Sequence, residues 1–210
     1  MSDCCENKSC AVEELARRSG QRNVLAGVLA INAVMFMVEF GAGVVAGSTA
    51  LMADSLDMLG DAFVYGLSIY AVARGDRWKA GAATAKGVFI LIFALVVLIE
   101  IGFKLTHGVP PSSSIMLVFG SIALVANLIC LRLLWRYRSS DINMTSTFEC
   151  SRNDVIANVG VLVAAMLVGA TASPWPDIAV GTVIALLFLR SAIKVLRSAL
   201  PQLSPSVESR

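Results

Sequence analysis

The stretch Leu51 to Phe63, LMADSLDMLGDAF, most constrains what this chain can fold into. It lies inside an apolar run from about Thr49 to Ala73. That run is long enough to cross a bilayer as a helix, which takes roughly 20 residues. It carries Asp54, Asp57 and Asp61. On a helix they fall at i, i+3 and i+7, so they share one face. A central Asp costs about 3 kcal/mol even on the lenient insertion scale, so three facing lipid would cost on the order of 9 kcal/mol. That face must meet water, protons or a metal cation inside a protein bundle.

Composition supports a membrane setting. Of the 210 residues 57% are hydrophobic and only 15% charged, against about 25% charged in a soluble domain. Six apolar runs follow one another: Val24 to Val45, Thr49 to Ala73, Gly87 to Phe103, Ile115 to Leu134, Phe148 to Ala170 and Ile178 to Val195. The predicted fold class is therefore all-α: a polytopic membrane protein built as a six-transmembrane-helix bundle. The link from Ala46 to Ser48 is short enough to make the first two helices a tight antiparallel hairpin. Most of the Lys and Arg fall in the links after runs two and four and at the end of run six, whereas Lys104 and His107 sit in the loop after run three. By the positive-inside rule both termini are expected in the cytoplasm. The predicted divisions are a flexible tail over 1–20, a transmembrane domain over 21–199 and a short cytoplasmic tail over 200–210. The first twenty residues mix acidic and basic groups, so no secretory leader is expected.

A second polar cluster opens run five, where Cys150 and Asp154 stand four apart and share a helix face. Counted at 1.5 Å per residue, Asp61 lies roughly 18 Å and Asp154 roughly 15 Å from the inner ends of their helices. Two i, i+4 pairs, Asp57 with Asp61 and Cys150 with Asp154, can then meet near the midplane as four ligands. Three carboxylates and one thiolate suit a tetrahedral zinc ion, and the sulfur lets cadmium compete. An empty cluster of this kind holds protons that an arriving metal displaces. Cys150 also reads as a small packing residue, and Asp54 as either an accessory metal residue or a structural one. Cys4, Cys5 and Cys10 offer three soft ligands on the N-terminal tail, or are incidental there. Cys130 stands alone in run four and reads as packing. His107, the sole histidine, is an accessory ligand or simply exposed. Glu39 in run one lies near the outer headgroups or lines a polar vestibule, and the role of Glu100 stays open.

The motifs together resemble the cation diffusion facilitator family of divalent-metal/proton antiporters. They are Glu39-Phe-Gly, GSTALMADSLDMLGDAF, Glu100 before a Pro-containing loop, Asn127, NDVIANVGVLVAA and WPDIAVGTVIA. The likeness runs from about Gln21 to Leu200. It implies a homodimeric six-helix bundle whose zinc site is built from helices two and five. The family pattern of His or Asp, three residues, then Asp falls on Asp57 and Asp61, and on Cys150 and Asp154. Cys150 departs from it and makes the site softer. Most members continue into a cytoplasmic metal-binding domain; only about a dozen residues follow run six, so a subgroup lacking that domain is expected, with the N-terminal cysteines as a substitute for acquiring metal. The resemblance implies an exporter of zinc and cadmium in a bacterial inner membrane, coupled to protons, with metal as cargo and no cofactor. It implies a transporter and no enzyme; with no nucleic-acid module in the chain, the basic residues read as topology signals and no nucleic-acid partner is expected.

The chief alternative is a metal-dependent membrane enzyme, a phosphatidyl-alcohol transferase. Its signature needs Gly directly after the first Asp, where this chain has Ser55, and Ala-Arg close behind, which is missing. A thiol oxidoreductase would want a Cys-x-x-Cys, which the chain lacks. An inert structural protein would leave the intramembrane carboxylates as needless cost.

Overall fold

The structure, a computed structural model, describes residues 3–70, 76–138 and 142–203. The side chains of Cys4, Cys5, Cys10 and Cys150 lie outside the described residues. The described residues form helices α1 (Asp3–Ala46), α2 (Thr49–Tyr70), α3 (Asp76–His107), α4 (Ser113–Trp135), α5 (Ile142–Thr171) and α6 (Trp175–Leu203), with no strand among them. Among the described residues four stretches are long and apolar enough to cross a membrane: Asn23–Ala46, Gly87–His107, Ser113–Trp135 and Ser151–Thr171. At 22 residues α2 also has the length, but it carries its three aspartates inward.

The helices run past the apolar stretches that announce them. The first twenty residues, expected as a flexible tail, begin α1 at Asp3. Lys104 and His107, expected in a loop, belong to the last turns of α3. The extension of α3 has a cause: the Lys104 ammonium is buried and paired, so the helix continues where apolar character ends.

The turns are built by local chemistry. Gly47 takes φ +61, the left-handed conformation that glycine adopts at no steric cost. Ser48 N–H donates to Gly43 O (2.8 Å) and Gly47 N–H to Val44 O (3.2 Å), a Schellman closure of α1. Ser48 then opens α2, its Oγ accepting from the Leu51 N–H at 3.1 Å. The tight hairpin expected between the first two helices is present. Gly108 closes α3 with the simpler αL motif at φ +65, its N–H reaching Lys104 O (2.9 Å).

The bundle is inverted relative to a soluble protein. Large apolar side chains face outward, among them Met37, Ile92, Ile99, Ile122, Ile156 and Leu187. Small ones line much of the interior, where Ala50, Ala53, Ala94, Ala123, Ala165 and Ala185 are buried beside larger ones such as Leu51, Leu56 and Met116. Small residues let membrane helices approach closely where lipid removes any hydrophobic drive between them. Two glycines mark the closest approaches. A Cβ on Gly43 would lie 2.9 Å from the Met52 backbone nitrogen, and one on Gly181 would lie 2.7 Å from the Thr49 carbonyl carbon. The chain is an integral membrane helical bundle. Its helices pack most extensively as α1 on α2, α3 on α6 and α4 on α5, while α2 also touches α3, α5 and α6.

Candidate functional site

The buried polar side chains sort by helix. Among the described residues, α1 contributes Asn32 and Glu39, and α2 contributes Thr49, Asp54, Ser55 and Asp61. Further ones are Asn127 on α4 and Ser151, Asp154 and Asn158 on α5. α3 and α6 contribute only Lys104 and Asp177. The polar interior therefore belongs to α1, α2, α4 and α5.

The stripe on α2 turns inward as its spacing requires. Asp54 and Asp61 are buried and Asp57 is partly buried. α5 repeats the same register: Ser151, Asp154 and Asn158 stand at i, i+3 and i+7, all buried. Asn158 Nδ2 donates back to the Asp154 carbonyl at 3.0 Å, while its Oδ1 and the Ser151 Oγ have no hydrogen-bond partner. Two polar stripes on contacting helices, set in an Ala-rich interior, are where a cation could replace lost hydration.

Of the four ligand candidates, Asp57, Asp61 and Asp154 are all described, and each engages a neighbouring group. Cys150 lies outside the described side chains. Among the described residues no three His, Cys, Asp or Glu side chains come together as a metal-holding group. The Asp61 charge reaches across to Cys130 of α4. Cys130 is buried with Val28 and Leu134, and its Sγ accepts from Asn32 Nδ2 at 3.8 Å, in keeping with a packing role.

Glu39 resolves to the interior. It is fully buried on α1 and neighbours Asp54, which is also buried. None of the four carboxyl oxygens meets a donor from another residue; the two carboxyls are within hydrogen-bonding reach of each other alone. Its depth was open in the sequence because α1 is apolar on most sides; only the packing of α1 on α2 decides it.

A polar knot at the other end of α2 was not anticipated at all. Asp177, in the first turn of α6, is fully buried. Its carboxylate accepts from Thr49 N–H (2.9 Å), Ala50 N–H (3.1 Å), Thr49 Oγ1 (2.7 Å) and Ser48 Oγ. Lys104 Nζ of α3 completes the set at 2.7 Å. The first backbone donors of a helix have no partner within it, and α2 has no acidic residue in its own first turn. α6 supplies the missing carboxylate from a distant part of the chain. The knot fixes where α2 begins and so sets the depth of its aspartates.

His107 is exposed, with Nδ1 2.9 Å from the Phe103 carbonyl oxygen. It lines a cavity of about 230 Å³ with Glu100, Lys104, Pro110 and Pro111. That places His107 far along the chain from the central stripes and shows Glu100 at the same mouth.

Comparison with known proteins points one way. The family described as cation efflux transmembrane domain matches residues 25–204. The metal cation efflux system protein CzcD of Cupriavidus metallidurans is 25% identical over 201 residues, covering 87% of this chain and 64% of its own length. A cadmium, cobalt and zinc/H(+)-K(+) antiporter of Bacillus velezensis is 21% identical over 196 residues, covering 87% and 62%. The zinc transporter ZitB of Yersinia pestis is 22% identical over 206 residues, covering 92% and 66%. The chain thus spans less than two thirds of the length of these relatives.

Proposed function

Because the chain belongs to the cation efflux family, we propose that it is a secondary transporter, not an enzyme, and that it exports divalent transition-metal cations in exchange for protons. The observation that carries this reading is the pair of buried polar stripes on α2 and α5 inside the membrane bundle. Lipid-facing carboxylates would be costly, so their inward placement marks an ion path. The names of the relatives, which refer to metal efflux, to zinc and to exchange against H(+) and K(+), support the same class.

The cargo site consists of Asp57 and Asp61 from α2 with Cys150 and Asp154 from α5. Three carboxylates and a thiolate take zinc, and the thiolate extends the range to cadmium. Metal enters from the cytoplasm and displaces protons. The helices then rock against one another, the site opens outward, and protons reload the carboxylates. Both termini are cytoplasmic, the membrane is the bacterial inner membrane, and the working unit is a homodimer formed through transmembrane helices. Residues 1–20 form a tail whose Cys4, Cys5 and Cys10 collect metal for the site, and 200–210 form a second short cytoplasmic tail. If Ser at all three cysteine positions leaves transport unchanged at limiting metal, the collecting role is wrong.

The test is metal-driven proton flux in proteoliposomes holding the purified protein, with zinc and cadmium supplied separately and Asp154→Ala beside the native chain. Flux that vanishes in Asp154→Ala supports both the exchange and the site. Flux that survives there moves the site elsewhere. No flux with any divalent metal sinks the transporter reading.

A further inference from the structure

Glu39 and Asp54 stand outside the four-ligand cargo site, and the packing around them gives them no work of their own. Glu39 comes from α1, which supplies none of the cargo ligands. Asp54 lies one helical turn from Asp57 towards the start of α2. The two side chains are 0% and 1% exposed; their four oxygens meet no donor from any other residue, and the two carboxyls lie within hydrogen-bonding reach of each other, a contact that needs a proton or another cation shared between them. Buried polar groups are nearly always paired, so an orphan of this kind calls for an explanation. No basic side chain answers them: the buried basic residue among those described is Lys104, which Asp177 holds at 2.7 Å. Asp57, the next carboxylate along, adds negative charge to both. Uncompensated negative charge is expensive in a low-dielectric interior. What fits the place is a small positive ion.

We propose that Glu39 and Asp54 form a second cation site, between α1 and α2, distinct from the cargo site. Its donors are carboxylate oxygens with no sulfur or imidazole, so it takes a proton or an oxygen-ligated divalent ion, zinc included. Two sources share that chemistry: a metal ion resting between the cargo site and the membrane surface, and the proton that travels against the metal. The proposal rests on reading the chain as a cation carrier, and it is independent of which residues hold the cargo.

The experiment counts ions on the purified full chain in detergent. Equilibrium dialysis gives bound zinc per chain, and a pH-indicator dye gives protons released per zinc bound. The variants are Glu39→Gln and Asp54→Asn, which keep shape and remove charge, and the double variant Asp57→Asn/Asp61→Asn. Monodisperse elution in size exclusion checks the fold, and Glu39→Asp, which retracts the carboxylate by one methylene, serves if Glu39→Gln fails it. A metal count that falls by one in Glu39→Gln and Asp54→Asn, and in Glu39→Asp a weakened but surviving ion, assigns the site to metal. An unchanged count with about one fewer proton released per zinc assigns it to the counter-ion. If neither quantity moves in any of these variants, the proposal is overturned. Zinc binding that survives in Asp57→Asn/Asp61→Asn but drops in the Glu39 and Asp54 variants upholds this site and sinks the cargo assignment instead.

Discussion

Asp177→Ala is the most demanding test of how this bundle holds α2. The substitution removes a carboxylate that accepts from four donors at the start of α2 and from the Lys104 ammonium. Lys104 is 7% exposed and would be left as a buried charge without its partner. Breaking a buried pair by removing one member costs about 3–5 kcal/mol. The Thr49 and Ala50 N–H groups lose their acceptor too, each loss worth ~1–3 kcal/mol when the group stays dry. A loss of about 5 kcal/mol is expected, a large share of the ~5–15 kcal/mol that keeps a domain folded. Lys104→Met is milder, because Asp177 keeps its four α2 donors; about 1–3 kcal/mol is expected. In the double variant no charge is stranded, so its cost should fall short of the sum by ~2 kcal/mol or more. Thermal unfolding of the purified proteins, followed by tryptophan fluorescence, reads this out. At roughly 2–4 °C per kcal/mol for a chain of this size, Asp177→Ala should lower Tm by about 10 °C or more. A drop below ~3 °C, or simple additivity in the double variant, would refute the reasoning.

Other substitutions probe separate features. Gly181→Ala should cost ~1–3 kcal/mol in the same unfolding assay, because its Cβ meets the Thr49 and Ala50 backbone at 2.7–2.9 Å and α6 must back away. Gly102→Ala, where a Cβ meets nothing within 4 Å, should lose no stability and gain up to about 1 kcal/mol. Cys150→Ser should weaken cadmium binding more than zinc binding, by at least roughly tenfold (~1.4 kcal/mol) in competition titrations; equal weakening of both metals would take the thiolate out of the site. His107→Ala should leave stability within ~0.5 kcal/mol of the native chain and transport unchanged, since the ring is exposed; lost flux in that variant would make the cavity it lines part of the path.

What could be read in the sequence was what local spacing decides. Asp54, Asp57 and Asp61 share a face because a helix has 3.6 residues per turn, and their inward turn follows from the cost of facing lipid. The hairpin at Gly47 was legible because three residues leave no other route between two helices. The Asp177 knot was hidden: a single Asp at the start of an apolar run looks like a surface residue, and its partners lie 73 and 128 positions away. The same pairing carried α3 past its apolar run to His107. Glu39 was ambiguous because helical period places a residue on a face without saying which neighbour that face meets. The register of α5 was half legible. Asp154 stood out as a charge, whereas Ser151 and Asn158 became notable only once all three proved buried.

The knot also bears on how the protein is made. α2 emerges early in synthesis with three carboxylates to shelter and backbone donors at Thr49 and Ala50 that its own turn does not satisfy. Their acceptor, Asp177, is encoded 128 residues later. At roughly 5–20 residues per second that is a wait on the order of ten seconds. Until α6 arrives, the nascent hairpin is an unfinished client, dependent on the insertion machinery or on water at the membrane surface to cover its open end. Biogenesis of this bundle is therefore completed from its C-terminal helix backwards, and a ribosome stalled before Asp177 leaves α2 packed on α1 but without the acceptor that fixes where it begins.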